Sequence, residues 1–311
     1  KIPFNDLSRI NKPIKSVVLK KFNKIIDNSD FILNDDIKNF EENFSAFTQQ
    51  NYSISCSNGT DAIELILRGL GVGNDDEVIV PVNSFVASSF AVDNVGAKPI
   101  FVDNDEFYLI DVNKIKEKIT KKTRAIIGVN LYGQMCDTVV IKKICKEHKI
   151  YFIEDAAQSH GAKQGKINVG DNSIAAAYSF YPGKNLGAWG DGGMVTTNSF
   201  NLYKKIFKIR NFGSKKKYFH ELKGINTKLQ PIEGIVLQEK LKYLDEWNKE
   251  REEIANIYLD SLKNINKLTL PKTFKNNKHV WHLFVVEVDN RNKFVNYLNT
   301  NNIETSIHYP F

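Results

Sequence analysis

The sequence predicts an α/β layer sandwich with a mostly parallel central sheet, followed by a smaller α+β unit. Two observations lead to that expectation. From about residue 55 to 200, short unbroken apolar runs alternate with stretches whose apolar residues recur at helical spacing; strands buried on both faces by helices have this texture. After residue 230 the alternation stops, and one long amphipathic pattern gives way to short β-like runs.

Residues 78–80, 99–102, 125–129, 151–153, 175–178 and 194–197 are the apolar runs and are read as strands. Between them, Ile63, Ile66, Leu67 and Leu70 mark one helix, and Val140, Ile141, Ile144 and Cys145 another. Gly69-Leu70-Gly71-Val72-Gly73 closes the first of these, and its glycines are read as a C-cap and turn rather than a dinucleotide fingerprint. Pro231 suits a helix start, and a single long helix is expected from there to about Leu262. Its apolar positions are Leu237, Leu241, Leu244, Trp247, Ala255, Tyr258 and Leu262. Thr269-Leu270 and residues 284–288 are read as strands of the smaller unit. The expected division is therefore 1–230 and 231–311. The chain stops at Tyr309-Pro310-Phe311 in what reads as a strand or loop, so residues are expected beyond 311.

Composition excludes several classes of function. With 311 residues, 42% hydrophobic and 25% charged, the chain can bury a large core. No run of 18 apolar residues suggests a membrane span, and no signal-peptide pattern is visible at the start. Cys56, Cys136 and Cys145 are odd in number and form no C-x-x-C pair, which fits free thiols in a reducing cytosol. No metal site is expected. The net charge is +7, yet the lysines are scattered and no basic stripe is interleaved with aromatics, so nucleic acid is not expected as a partner. Lys215-Lys216-Lys217 is a local cluster that suits an anionic small molecule as well as it suits an exposed loop.

Three segments carry chemistry. Ser57-Asn58-Gly59-Thr60-Asp61 opens a helix, where free N–H groups favour an anion and glycine allows close approach; plain capping by Asn58 or Thr60 explains it equally well. Glu154 and Asp155 end the 151–153 run at the carboxyl edge of a central strand, where open α/β sheets bind ligands and where a carboxylate needs a cationic partner. Lys184 lies in Ser179-Phe180-Tyr181-Pro182-Gly183-Lys184-Asn185-Leu186-Gly187. The Walker spacing is absent, since Tyr178 stands at the first glycine position and Asn185 at the Ser/Thr position. A desolvated lysine can act as a nucleophilic amine. A helix N-terminus for phosphate, a strand-end carboxylate for a pyridinium nitrogen and a lysine for the aldehyde are together the requirements of pyridoxal phosphate.

Those segments, with Pro81-Val82-Asn83-Ser84-Phe85-Val86-Ala87, Gly96-Ala97-Lys98-Pro99-Ile100-Phe101-Val102-Asp103, Leu131-Tyr132-Gly133-Gln134 and Glu154-Asp155-Ala156-Ala157-Gln158-Ser159-His160-Gly161-Ala162, resemble the DegT/DnrJ-type nucleotide-sugar aminotransferases. The resemblance runs in order from Ile2-Pro3-Phe4 to His308-Tyr309-Pro310. It implies a fold-type I transferase with a large pyridoxal-phosphate-binding domain. It also implies that Lys184 binds the cofactor covalently, that Asp155 pairs with the pyridine nitrogen and that Gln158 contacts the phenolic oxygen. Gly59, Thr60 and Ser179 would hold the phosphate, Phe85 would stack on the ring, and Asn226 would reach the phosphate of the other subunit's cofactor in a homodimer with shared active sites. Lys215-Lys216-Lys217 would face the substrate diphosphate, and His308 and Tyr309 would line the sugar pocket. Three departures stand out. Lys228 replaces a usual arginine, Asn34 replaces a usual glycine, and family chains continue several dozen residues past the His-Tyr-Pro segment.

The implied reaction is transfer of an amino group from L-glutamate to a nucleotide-linked keto-sugar. Asn58-Gly59-Thr60-Asp61-Ala62 resembles the subgroup acting at C3, so a dTDP-3-keto-6-deoxyhexose is the expected substrate, with C4 and UDP-3-keto sugars as alternatives. Lys184 argues against the related dehydratases, which carry histidine there. A non-catalytic regulatory protein on the same scaffold is the rival of a different class.

Overall fold

The computed structural model describes residues 1–216 and 218–310. Seven strands form the central sheet: β1 (Tyr52–Cys56), β2 (Glu77–Pro81), β3 (Lys98–Val102), β4 (Thr123–Val129), β5 (Tyr151–Asp155), β6 (Ala175–Ser179) and β7 (Gly193–Thr197). Their order across the sheet is β1-β7-β6-β5-β4-β2-β3. The pairings β3–β2, β2–β4, β4–β5 and β5–β6 are parallel, whereas β7 is antiparallel to both β6 and β1. β7 alone therefore runs against the others, and the carboxyl ends of β1, β2, β4, β5 and β6 share one edge. Val129 pairs with Asp155, and Asp155 with Ala177, which aligns these ends side by side.

The sheet is buried on both faces, as its apolar runs require. Along β6, Ala175 and Ala177 enter one hydrophobic cluster while Ala176 and Tyr178 enter the other, the period of two that strand geometry imposes. The first cluster includes Ile63, Ile66 and Leu67 of α3 (Gly59–Leu70), Ile141 and Ile144 of α5 (Thr138–His148), and Leu202 and Ile206 of α6 (Phe200–Ile209). The second includes Phe40 and Phe44 of α2 (Asp35–Thr48), and Phe44 meets Tyr178 and Phe180 edge-on at 5.0 and 5.4 Å. Asn34 serves as the N-cap of α2 and accepts the Ile37 N–H at 3.2 Å. Gly71 caps α3 in the left-handed region (φ 77°), as its place after the apolar pattern suggested.

Two expectations need correction. The helix from Pro231 is not continuous: α7 (Pro231–Leu241) and α8 (Leu244–Leu262) are separated at Lys242-Tyr243, where Tyr243 lies at φ −107° and ψ −6°. The bend lets buried Ile235, Val236 and Leu237 pack into the body of the molecule while Leu244 and Asn248 still face the core. A helix pattern read by periodicity alone carries no sign of such a bend. The 284–288 run is strand only at Glu287–Val288, paired with Leu268–Thr269. β1 lies outside the predicted apolar runs because Ser53 and Ser55 interrupt its apolar character. Both serines are buried and are satisfied by side chains, Ser55 donating to Glu41 at 2.7 Å and Ser53 accepting from Ser45 at 2.8 Å.

Three further helices of eight residues or more are α1 (Lys15–Asn28), α4 (Ala87–Asn94) and α9 (Arg291–Thr300), beside short helical turns at Leu7–Asn11 and Val112–Ile115. Among the described residues no helix is long and apolar enough to cross a membrane. All three cysteines are unpaired and buried.

Candidate active site

The shared carboxyl edge gathers the chemistry-bearing residues. β5 ends in Asp155, which is 6% exposed. One carboxylate oxygen accepts from the Ser88 hydroxyl at 2.8 Å and the other from the Ala157 N–H at 3.1 Å. Glu154, pointing to the opposite face, is satisfied by Asn130, Gly170 and Ser173 at 2.9–3.0 Å. Of the two carboxylates at the strand end, only Asp155 is placed to serve the edge, because alternate residues of a strand face opposite sides. Burial pushes its pKa up, opposed by the bonds from Ser88 and Ala157 and by the charge of Lys184. Removing the hydroxyl with Ser88→Ala is expected to raise the Asp155 pKa further. It should lower kcat about 10- to 100-fold, the scale of one hydrogen bond to a charged group. A pH–rate profile of the variant checks this.

Lys184 follows β6 in the loop that joins it to β7. Phe180 and Gly192 close the base of this loop (N···O 2.7 Å), and the Lys184 N–H bonds to the Tyr181 carbonyl at 2.8 Å. None of Gly183, Gly187, Gly190, Gly192 and Gly193 takes a positive φ. The glycine requirement is closeness: a Cβ on Gly187 would lie 2.2 Å from the Pro182 carbonyl oxygen. The Lys184 amine makes no hydrogen bond or ion pair among the described residues. Burial draws its pKa down to about 8, opposed by the charge of Asp155.

The N-terminus of α3 lies beside Ser179. A Cβ on Gly59 would approach the Ser179 Cβ to 2.7 Å, so glycine is required for the two backbones to sit this close. The Asn58 side chain caps Asp61 N–H at 2.8 Å, and its carbonyl takes the Ala62 N–H at 3.1 Å. The Gly59 and Thr60 amides, in the first turn, have no acceptor within the helix. Capping and anion binding are thus compatible here, since they use different amides.

Gln158 is fixed from both sides, its oxygen accepting the Tyr132 N–H at 2.7 Å and its amide donating to the Tyr309 hydroxyl at 2.8 Å. Tyr132 lies at φ 58° and also donates its hydroxyl to the His308 carbonyl at 2.7 Å. The Phe85 ring, more than half exposed, stands 6.0 Å from that of Tyr309. The His308 ring instead stacks on Phe4, with centroids 5.8 Å apart. Asn226 bridges to Asn211 and bonds to the Lys228 amine. The adjacent Thr227 hydroxyl meets Ser57 at 3.0 Å and Asp61 at 2.5 Å, which places the segment beside this chain's own α3 N-terminus. Lys215 and Lys216 are exposed on a two-stranded ribbon with Phe219–His220; Lys217 lies outside the described residues.

The structure therefore brings Gly59, Thr60, Asp155, Gln158, Ser179, Lys184, Phe85 and Tyr309 to one edge. Ser88 joins them without a sequence signal of its own, and Tyr132 lies in a motif that gave it no individual role, since a serine in a short helix and a tyrosine in a turn acquire roles only through what folds against them. The donor set fits pyridoxal phosphate. An orphaned amine faces a buried carboxylate, and a glycine–serine cradle with free amides stands at a helix start.

Comparison with known proteins agrees. The description "DegT/DnrJ/EryC1/StrS aminotransferase family" matches residues 13–311. The chain is 44% identical to a dTDP-3-amino-3,6-dideoxy-alpha-D-galactopyranose transaminase of Aneurinibacillus thermoaerophilus, across 99% of this chain and 85% of that protein. It superposes on the crystal structure of Streptomyces venezuelae DesV in complex with a ketimine intermediate with TM-score 0.98 and 37% identity, covering 100% of this chain and 84% of that one. NtdA of Bacillus subtilis, solved with bound cofactor PMP, gives TM-score 0.93 at 32% identity, covering 100% and 73%.

Proposed function

Because the chain belongs to the DegT/DnrJ/EryC1/StrS aminotransferase family, we propose that it transfers an amino group from L-glutamate to the C3 ketone of a dTDP-linked 6-deoxyhexose, using pyridoxal phosphate held at the edge described above. The observation that supports this most directly is the half-buried Lys184 amine, which feels the charge of Asp155, next to the Gly59–Ser179 cradle. The relative from Aneurinibacillus, acting at C3 of a dTDP-sugar, supports the choice of substrate.

When bound, pyridoxal phosphate supplies an electron-withdrawing ring that stabilises negative charge on the carbon attached to the transferred nitrogen. The residues of this chain do the rest. Gly59 and Thr60 amides and the Ser179 hydroxyl would hold the phosphate at the positive end of α3. Asp155, desolvated and oriented by Ser88, would favour a protonated ring nitrogen. Gln158, locked by Tyr132, orients the phenolic side, and exposed Phe85 covers the ring face. Lys184 would hold the cofactor's aldehyde end and, as a free amine, would take up and give back a proton at its Nζ.

The protein is further proposed to act as a homodimer in which Asn226 reaches the second site; Phe85, Val86, Phe90 and Phe212 expose large apolar side chains near the site, as a surface to be covered would. Sedimentation measurements that returned a monomer would remove this part of the proposal. His308 and Tyr309 are proposed to border the sugar.

The reading is tested by assaying amination of a panel of dTDP- and UDP-linked 3-keto and 4-keto sugars. Binding of the cofactor should give an absorbance band that shifts when glutamate is added. A band indifferent to glutamate, with no amination of any sugar, would favour the regulatory alternative. A C4 ketone or a UDP-sugar as the best substrate would revise only the substrate.

The Lys184 pKa sets a pH dependence. Below about 8 the amine is protonated and cannot attack the aldehyde. Cofactor uptake by the cofactor-free protein should therefore quicken with pH, about tenfold per unit below the midpoint, and level off above it. The folded amine binds its proton less tightly than the unfolded one. Stability of the cofactor-free protein should accordingly rise from about pH 8 into the ordinary lysine range. Uptake rates that do not vary across neutral and mildly alkaline pH would contradict the assignment.

A further inference from the structure

Beneath the lysine loop lies a buried polar chain that the chemistry above does not use. Asn185, 2% exposed and next to Lys184, donates through its amide nitrogen to Asn248 Oδ1 and to the Val280 carbonyl, both at 2.9 Å. Asn248 on α8, also 2% exposed, donates in turn to the His160 carbonyl at 2.8 Å. The Asn185 oxygen lies 3.1 Å from His282 Nδ1. Since the Asn185 nitrogen is committed as donor, its oxygen accepts, and His282 Nδ1 must carry the proton. Burial and the nearby Lys184 charge keep His282 neutral, which leaves Nε2 as its acceptor nitrogen. On the far side of Lys184, Lys240 is 1% exposed and donates to the Gly187 carbonyl at 2.6 Å. The backbone around Lys184 is therefore tied on both sides to side chains from beyond residue 230.

Every hydrogen-bonding position of the Asn185 amide is engaged except its oxygen's second lone pair, and no leucine or aspartate of similar size would satisfy the same three partners. A fully buried amide carries a desolvation cost unless it is satisfied, so its presence here calls for a role. We propose that Asn185, held by Asn248, Val280 and His282, is a positioning residue that fixes Lys184 in its working orientation. The proposal deepens the aminotransferase reading and rests on it.

The consequence concerns the shielding of the Lys184 amine. The titratable groups that face it are Asp155, His160, His282 and His308. Asp155 raises its pKa, whereas burial lowers it. A loop released from below lets the amine reach water, and burial then loses its hold. The test uses the cofactor-free full chain: the pH dependence of Lys184 labelling by an amine-reactive anhydride, read on its peptide by mass spectrometry, together with kcat and KM of the loaded enzyme. In Asn185→Ala the labelling midpoint should rise from about 8 towards the ordinary lysine range. Its kcat should fall about 10²-fold, the effect of misplacing a reacting group by about an ångström, while KM for glutamate changes little. Asn248→Ala, which leaves the Val280 and His282 contacts in place, should shift both in the same direction by less. It decides the matter alone if Asn185→Ala does not fold. A lowered unfolding midpoint with unchanged labelling and kcat would make the chain of amides merely structural and overturn the proposal. Absence of amino transfer in the unaltered protein would instead count against the aminotransferase reading, because labelling requires no turnover.

Discussion

Replacing Lys184 with alanine is expected to reduce amino transfer by at least about 10⁴-fold, the upper range for loss of a positioned acid–base group. Two roles would be lost with the one amine: holding the cofactor and carrying a proton at its Nζ. The loop itself should survive, since Asn185 and Lys240 anchor it through bonds that do not involve the Lys184 side chain. The variant should fold, and borohydride treatment in the presence of cofactor should leave no added mass on the 179–193 peptide, where the unaltered protein gains it. Amino transfer retained by Lys184→Ala would refute the mechanism.

Asp155→Asn is expected to have the second-largest effect, about 10²- to 10³-fold in kcat, the scale reported for removing one preorganised electrostatic contact. The change keeps the shape that Ser88 and Ala157 grip but removes the charge, so the site can no longer favour a protonated ring nitrogen. A second readout follows from the coupling of the pair. Asp155 is the influence that raises the Lys184 pKa against burial. Its loss should move the Lys184 labelling midpoint below about 8, the direction opposite to that expected for Asn185→Ala. A neutral residue at 155 that left both kcat and the labelling midpoint unchanged would show that the carboxylate faces something other than the cofactor.

Much of the sheet was legible because burial on both faces writes itself as unbroken apolar runs: β2 to β7 all fall on such runs. β1 was not, because Ser53 and Ser55 look polar in sequence and are buried only by virtue of Ser45 and Glu41 on α2. The bend between α7 and α8 was also hidden. Each half reads as helix in sequence, and only the direction in which each finds its core separates them. At the site, Asp155 and Lys184 stood out by type and by place at strand ends. Glu154 looked equally eligible until the strand's alternation turned it towards Asn130, Gly170 and Ser173.

The α/β class, the helix opening at Gly59 and the family to which the motifs belong are legible in the chain alone, since periodicity, capping chemistry and motif order are local properties. Which carboxylate faces the lysine, the need for Gly59 to let Ser179 approach, and the meeting of Asn185, Asn248 and His282 beneath the loop come from the folded molecule. Those facts depend on contacts between residues up to about 120 positions apart, as Gly59 and Ser179 are. Burial gives such contacts their effect, by removing the water that would otherwise compete for each polar group.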